Sequence, residues 1–256
     1  MDIYDLIDIT KENFEKAVTK EEFIQICDYF FNSIKIDYFM ICICDTTSLV
    51  KPQTIIIDNF PKLWCKIYFE RNFQKCDPIT DYCFSNAKPI FWHELLKLPK
   101  YQEPRYKTMF TVAQQFNLNS GVSIPFTTAK GDMGMISLVS KLDIKNSEKI
   151  LTQSIPFGML LACHLSDCIY SSNLIKSNKL NTNISKLTSR EHDCLLWASE
   201  GKTSWEISQI LGITERTVLF HMNNVVKKIG AKNRQHAVAQ GIVRKVILPN
   251  FMDHSQ

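Results

Sequence analysis

The chain has 256 residues, of which 45% are hydrophobic and 22% are charged. This is the composition of a globular protein that can bury a real core, with room for one large or two ordinary domains. The formal net charge of +4 is unevenly placed. Residues 171–256 carry twelve Lys and Arg against six Asp and Glu, whereas residues 1–170 have a net charge of −2. The basic C-terminal part suits contact with phosphates, and the acidic remainder has no reason to touch nucleic acid.

The cysteines and the hydropathy pattern indicate the cellular compartment in which the protein works. The nine cysteines include no pair with zinc-ligand spacing, so we expect free thiols in a reducing environment and neither a metal site nor a cofactor. The N-terminus is acidic, and Asp, Glu and Lys interrupt every apolar run. We therefore expect no signal peptide and no membrane span, and predict a cytoplasmic protein.

The first 170 residues alternate between helical and strand patterns. We expect helices over 13–33, 61–71, 104–116 and 147–173, the last bent near Pro156, and strands over 37–44, 54–58, 89–92, 120–127 and 132–141. A turn at 129–131 would join the last two strands in an antiparallel hairpin. This order predicts an α+β protein whose N-terminal domain is an α/β/α sandwich around an antiparallel sheet.

A segment rich in Ser, Asn and Lys follows at 171–186 and is typical of a linker. We predict a first domain over 1–170, a linker over 171–186 and a second domain over 187–256.

The second domain begins with repeated helix-start signals. Thr188 with Glu191 and Thr203 with Glu206 form two capping boxes, in which each residue satisfies a backbone donor that the helix start leaves free. Thr214 is a third N-cap. The glycines at the expected left-handed helix ends are Gly201, Gly212 and Gly230.

The third of these helices has one apolar face and a basic, polar outer face. The outer residues are Arg216, Leu219, Asn223 and Lys227. Two helices joined by the tight turn at Gly212 and Ile213 form a helix-turn-helix whose second helix would enter a major groove. Capped helices alone fit a small bundle equally well, and the basic outer face favours DNA binding.

This stretch resembles the DNA-binding domain of LuxR-type transcription regulators. The matching signs are Leu187-Thr188-x-Arg190-Glu191, Gly201-Lys202-Thr203, Ile207, Thr214-x-Arg216-Thr217-Val218-x-x-His221, Lys228-x-Gly230 and Asn233-Arg234. The resemblance implies an all-α domain of four helices bound to double-stranded DNA. It also implies that the DNA-facing residues are Thr217, Leu219, His221 and Asn223, and that Glu191, Leu195 and Gly201 belong to the scaffold.

The N-terminal domain resembles the autoinducer-binding domain of the same family. The residues that carry this resemblance are Trp64, Tyr68, Asp77-Pro78, Trp92 and Gly121. The ligands of the family are acyl-homoserine lactones, in which a lactone and an amide are attached to a fatty chain. The resemblance therefore implies a small-molecule autoinducer as ligand.

Side-chain chemistry suits such a ligand. The Trp64 indole N–H can only donate and would meet the lactone carbonyl, while the Asp77 carboxylate would accept from the amide N–H. The Tyr68 hydroxyl would donate to the amide carbonyl. By resemblance, Phe60 and Trp92 lie beside the lactone, and Gly121 leaves room for the ligand or for a close backbone approach. The resemblance also implies that Met133, Met135 and Ser137 face inward, where Ser137 could hydrogen-bond an acyl-chain or amide carbonyl. Each of these residues also has an ordinary role, as core aromatic, turn former or core filler.

Two positions depart from the family pattern. Phe60 stands where the family often has tyrosine, which removes a hydroxyl from the pocket wall. Leu219 stands where relatives often have a polar residue; it can contact a thymine methyl but makes no bidentate base contact.

These patterns together predict a ligand-gated, quorum-sensing regulator that binds an inverted-repeat promoter site as a homodimer, with RNA polymerase as a further partner. One alternative is a ligand-independent or non-lactone-sensing regulator of the same type. A response regulator is disfavoured because the N-terminal part lacks the acidic pair and the lysine of a phosphoacceptor domain. An enzyme is disfavoured because we find no Ser-His-Asp order in a suitable context, no phosphate loop and no metal spacing.

Overall fold

The computed structural model describes residues 3–45, 52–129, 131–171 and 187–247. These residues fall into two compact units, an N-terminal unit that ends with residue 171 and a C-terminal unit over 187–247. The predicted linker lies outside the described residues apart from Ser171, so the three domain limits stay predictions. No helix within the described ranges combines the length and apolar character needed to cross a membrane.

The N-terminal unit is an α/β/α sandwich, as predicted. Its helices are α1 (Ile3–Lys16), α2 (Lys20–Ser33), α3 (Lys62–Glu70), α4 (Pro78–Cys83), α5 (Trp92–Leu95), α6 (Pro104–Gln114) and α7 (Ile144–Ser171). Its strands are β1 (Tyr38–Asp45), β2 (Gln53–Asp58), β3 (Ile90–Phe91), β4 (Ser120–Thr127) and β5 (Met133–Ser140). The sheet is antiparallel with the order β2-β1-β5-β4-β3.

Successive side chains of a strand point to opposite faces of the sheet, so each face packs against a different core. One face of β1 presents Phe39, Ile41 and Ile43 to a core built with α1, α2 and α7. The opposite face presents Cys42 from β1 and Met135 from β5 to a second core built with α3, α4, α5 and α6. The second core contains the cavity described below.

Two predicted elements of this unit differ from the structure. The single helix expected over 13–33 is wrong, because α1 ends at Lys16 and α2 begins at Lys20. Thr19 and Glu22 form a capping box there, which satisfies the free backbone donors at the start of α2. The strand expected over 89–92 is shorter, and Trp92 begins α5. Pro156 lies inside α7, and the bend predicted there stays a prediction.

The C-terminal unit is all-helical. Its helices are α8 (Ser189–Ser199), α9 (Ser204–Leu211), α10 (Glu215–Ile229) and α11 (Arg234–Val243). Both capping boxes and the Thr214 cap are confirmed. The positive φ angles are 79° at Gly201, 64° at Gly212 and 71° at Gly230, the left-handed conformation expected of glycine at a helix end.

Polar contacts between helices fix their arrangement in this unit. Glu191 accepts from the Thr188 backbone at 2.8 Å and from Lys228 of α10 at 2.6 Å, so the capping residue of α8 also ties two helices together. Arg234 at the start of α11 donates to Ser204 and to the Lys202 carbonyl. The apolar faces of α8, α9 and α10 close around Leu195, Ile207 and Val225. This packing leaves the other face of α10 outside the core.

Candidate functional site

A cavity of about 470 Å³ lies in the second core of the N-terminal unit, between the sheet and α3, α4 and α6. Its size is that of a small-molecule site. The lining residues from the sheet are Met40, Cys42, Thr54, Ile56, Asp58, Met135 and Ser137. Those from the helical side include Phe60, Trp64, Tyr68, Asp77, Thr80, Trp92, Met109 and Phe110. Most of these side chains are apolar, which suits a ligand with a fatty part.

The floor of the cavity consists of side-chain rows that cross the sheet. The strand register gives one row as Ser123, Ser137, Met40 and Asp58, and the next as Pro125, Met135, Cys42 and Ile56. All except Ser123 and Pro125 line the cavity. Neighbouring strands are about 4.8 Å apart, so the floor runs about 10 Å from β5 across β1 to β2. The second of these rows is apolar where it lines the cavity, through Met135, Cys42 and Ile56.

Asp77 lies at the wall, where it is 7% exposed and forms the N-cap of α4. Its carboxylate accepts hydrogen bonds from Ile79 N at 2.8 Å, from Tyr68 Oη at 2.7 Å and from Thr80 Oγ1 at 3.2 Å. Burial raises the pKa of the Asp77 carboxyl above its ordinary value, although these hydrogen bonds oppose the shift. The group is a buried acceptor at the edge of an apolar cavity.

Trp64 is 5% exposed, and its ring centroid is 5.8 Å from that of Tyr68 one turn along α3. Further ring contacts come from Phe73 and Phe116, both at 6.1 Å between centroids. The Trp64 indole N–H has no acceptor among the described residues, while the residue lines the cavity. An indole nitrogen can only donate, so this site offers a donor to a ligand.

Tyr68 makes a hydrogen bond that we did not predict. Its hydroxyl donates to Asp77, and burial and the Asp77 carboxylate raise the pKa of Tyr68 above its ordinary value. The phenol therefore keeps its single hydrogen, which it donates to the Asp77 carboxylate. Tyr68 would have to turn this hydrogen away from Asp77 to donate to a ligand carbonyl.

Trp92 contacts the sheet through a serine that we did not predict. Its Nε1 donates to Ser123 Oγ at 2.9 Å, and Ser123 Oγ lies 2.8 Å from Ser137 Oγ. A Cβ added at Gly121 would come within 2.7 Å of the Trp92 ring, so Gly121 makes room for this indole.

Two predicted pocket residues are not among those that line the cavity. Gly121 lies behind Trp92, and Met133 is half-buried at the end of β5 near the turn. Ser123 was recoverable from the sequence, because a hairpin centred on residue 130 pairs position 123 with position 137. No local signal pointed to β2, α4 or α6, whose residues reach the cavity only through the tertiary fold. The lining residues missed there include Thr54, Asp58, Thr80, Met109 and Phe110.

Two thiols that line the cavity are weakly acidic. Burial raises the pKa of Cys42 to about 12, and burial with the nearby Asp58 carboxylate raises that of Cys65 to about 11. Both thiols are therefore neutral at physiological pH. In the part of the chain that is described, no group of three or more His, Cys, Asp and Glu side chains is placed to hold a metal ion.

The outer face of α10 forms an exposed stripe in the C-terminal unit. Its residues are Arg216, Leu219, Asn223 and Lys227, all exposed and spaced by three or four positions. Neither Arg216 nor Lys227 makes an ion pair with another described residue. Both cations are exposed and without an ion pair in the described part of the chain, so they are available for phosphate contacts.

The other two predicted DNA-facing residues are half-buried. Thr217 Oγ1 lies 2.8 Å from Thr214 Oγ1 in the first turn of α10, and the His221 ring contacts that of Phe220 at 5.7 Å between centroids. Both lie beside the exposed stripe.

A ligand-sized cavity in one unit and a helix-turn-helix in the other define the class of ligand-binding transcription regulators. The model of the autoinducer binding domain matches residues 19–169, and that of the bacterial regulatory proteins of the luxR family matches residues 185–240. The chain belongs to the LuxR family, a family of transcription regulators and not of enzymes.

Curated relatives agree with this assignment, and a solved structure agrees with the fold. The transcriptional activator protein LuxR of Aliivibrio fischeri is 35% identical over 219 residues, which cover 84% of this chain and 83% of that protein. VanR of Vibrio anguillarum is 31% identical over 247 residues, 96% of this chain and 99% of that protein. A crystal structure of Escherichia coli SdiA has a TM-score of 0.70 at 23% identity and covers 96% of this chain and 100% of its own. The predicted fold class is confirmed.

Proposed function

We propose that the protein is a quorum-sensing regulator that binds an acyl-homoserine lactone in the N-terminal cavity and an inverted-repeat promoter site through α10 as a homodimer. One observation carries this proposal. The same cavity is lined by the Trp64 N–H, which has no acceptor among the described residues, and by the buried Asp77 carboxylate. A lactone carbonyl needs such a donor and an amide N–H needs such an acceptor. The row of Met135, Cys42 and Ile56 across β5, β1 and β2 is apolar and suits the fatty chain.

Ligand gating follows from the position of the cavity inside the second core. A ligand that fills this space binds the folded chain and not the unfolded one, so it stabilises the folded unit by mass action. We propose that the filled unit favours a dimer. A two-fold dimer would present two α10 helices to two half-sites of an inverted repeat. We propose that the protein acts in the cytoplasm, where its DNA target would lie, with RNA polymerase as a further partner.

The alternative of a ligand-independent regulator requires a filled core. The cavity of about 470 Å³ weighs against it. The same apolar row suits a non-lactone acyl ligand, and one solved structure, SdiA in complex with octanoyl-rac-glycerol, has a TM-score of 0.63 at 22% identity. The test must therefore separate the two ligand classes.

The experiment expresses the full chain with a series of acyl-homoserine lactones of increasing chain length, and separately with octanoylglycerol. Mass spectrometry of an organic extract identifies what stays bound, and melting temperature measures stabilisation. We expect lactones to co-purify, to raise the melting temperature and to promote dimerisation in sedimentation. Stabilisation by octanoylglycerol alone would replace the lactone with another acyl ligand, and no stabilisation by either would favour the ligand-independent reading.

A further inference from the structure

Ser123 and Ser137 stand directly opposite each other on β4 and β5. Their hydroxyl oxygens are 2.8 Å apart. Ser123 is 0% exposed and does not line the cavity, whereas Ser137 does. The two hydroxyls therefore form a short path from the interior of the unit to the ligand space.

Trp92 fixes the inner end of this path. Its indole N–H donates to Ser123 Oγ at 2.9 Å and has no capacity to accept. The absence of a side chain at Gly121 lets the ring lie against β4. Ser123 is consequently an acceptor in this bond.

A serine hydroxyl has one hydrogen and two lone pairs, so only two arrangements are open to the serine pair. If Ser137 donated to Ser123, the Ser123 hydrogen would have no acceptor among the described residues, in a side chain with no exposed surface. If Ser123 donates to Ser137, every donor on the path is satisfied except the hydrogen of Ser137. That hydrogen then belongs to the residue that faces the cavity. Buried hydroxyls rarely leave a hydrogen unpaired, so the second arrangement is favoured.

We infer that Ser123 is a positioning residue that orders the path Trp92 to Ser123 to Ser137 and so fixes Ser137 as a hydrogen-bond donor to the ligand. Within the proposed function, on which its ligand part rests, the ligand must place an acceptor at Ser137. A carbonyl oxygen meets this requirement, and a methylene or an N–H at the same place does not. An amide carbonyl and an ester carbonyl satisfy it equally.

The test is a double-mutant cycle of Ser123→Ala, Ser137→Ala and the double variant, with the affinity for N-octanoyl-homoserine lactone measured by titration of the full chain. Ser137→Ala removes the donor and should weaken binding roughly threefold to tenfold. Ser123→Ala removes the hydrogen bond that Ser137 accepts from Ser123 and that holds its hydroxyl in place, so it should weaken binding by a smaller factor. Because Ser123 acts through Ser137, the double variant should bind as Ser137→Ala does.

Two controls separate this effect from a loss of packing. Ser123→Thr keeps the hydroxyl and should restore most of the affinity. Ser120→Ala removes another buried β4 hydroxyl, which lies 2.6 Å from Ser147 Oγ outside the cavity, and should leave ligand affinity unchanged even where the melting temperature falls. Additive losses in the cycle, or full affinity in Ser123→Ala, would overturn the positioning role.

The order of the hydrogens can be tested without any ligand. Neutron diffraction from perdeuterated crystals of the ligand-free protein should place the Ser123 deuterium on the line to Ser137 Oγ. A deuterium of Ser137 directed at Ser123 would overturn the inference even if lactones bind. If wild type binds no lactone of the chain-length series, the proposed function fails while the neutron result still decides the order of the hydrogens.

Discussion

The Trp64 indole lies on the cavity wall with its N–H unpaired among the described residues, so a change there distinguishes a ligand site from an aromatic core. Trp64→Phe removes the donor and little volume. We expect the melting temperature of ligand-free protein to change little, and the rise in melting temperature on lactone addition to be lost. A variant that is less stable under every condition, beside a wild type that no lactone stabilises, would make Trp64 a core residue.

Asp77 combines a helix cap with a cavity acceptor. Asp77→Asn keeps an oxygen that can cap α4 but removes the charge, so we expect ligand affinity to fall by at least about tenfold, the worth of a charge-assisted hydrogen bond. Asp81→Asn is the matched control, because Asp81 is exposed on the same helix and hydrogen-bonded to Tyr101 outside the cavity. Equal affinities in Asp77→Asn and wild type would remove Asp77 from the site.

The raised pKa of Asp77 adds a pH test. The charged form accepts from the ligand, and protonation begins at a pH above the ordinary aspartate range of about 3.9. Wild-type affinity should therefore fall on mild acidification, before ordinary aspartates titrate. Asp77→Asn should lack this dependence, and a shared pH profile would contradict the assignment. Titrations at constant ionic strength make the comparison.

At the scale of the element, α10 separates two kinds of DNA contact. Lys227→Ala should weaken binding to all sequences and reduce the salt dependence, because a phosphate contact releases counterions. Asn223→Ala should change the preference among sequences instead. Gel-shift titrations of the full chain at several salt concentrations measure both effects. Lys149→Ala removes the same charge from α7 in the other unit and should have no effect, and a loss as large as that of Lys227→Ala would sink the phosphate assignment.

The turn between α9 and α10 depends on Gly212. Its φ is 64°, and no atom lies within 4 Å of an added Cβ, so Gly212→Ala costs backbone strain alone. We expect a loss of about 1–2 kcal/mol in the free energy of unfolding. Gly212→Asn should lose less, because asparagine tolerates this conformation. Urea unfolding followed by circular dichroism measures both variants, and equal losses would argue against strain as the cause.

Elements that depend on contacts within one helical turn, such as the helix caps, were predictable from the sequence. The residues that line the cavity were only partly predictable. Three caps in the C-terminal unit follow from Thr188, Thr203 and Thr214, because a capping residue acts within one turn. The same signal at Thr19 and Glu22 was overlooked beneath a continuous apolar pattern, which produced one helix in place of two. Thr54 and Met109 reach the cavity through strand order and helix packing, which short-range patterns do not encode.

At the scale of the whole molecule, each unit has its own core. The N-terminal unit has a space inside one of its two cores, whereas the C-terminal core is closed around Leu195 and Val225. We expect ligand to raise the stability of the N-terminal unit without acting on the C-terminal core directly.

The capping boxes recur in both units and have a consequence for acid stability. Their carboxylates are Glu22, Glu191 and Glu206, and the pKa of each lies below its ordinary value. Backbone hydrogen bonds from Val18 and Thr19 lower the pKa of Glu22, and those from Thr203 lower that of Glu206. Burial raises the pKa of Glu191, but hydrogen bonds from Lys228 and Thr188 outweigh it.

Because these pKa values are lower in the folded chain, the stabilisation is present above the ordinary glutamate pKa of about 4.3 and is lost as pH falls through the folded values. Replacing all three glutamates with glutamine keeps neutral capping boxes and should flatten the decline of melting temperature with acid. Superimposable acid profiles of variant and wild type would contradict this.

Protons thus act as ligands of the unfolded chain. When the chain unfolds, each capping-box glutamate regains its ordinary pKa, and its carboxylate takes up a proton in mild acid. Acidification would therefore destabilise the folded chain at these helix starts, whereas a ligand bound in the N-terminal cavity would stabilise it.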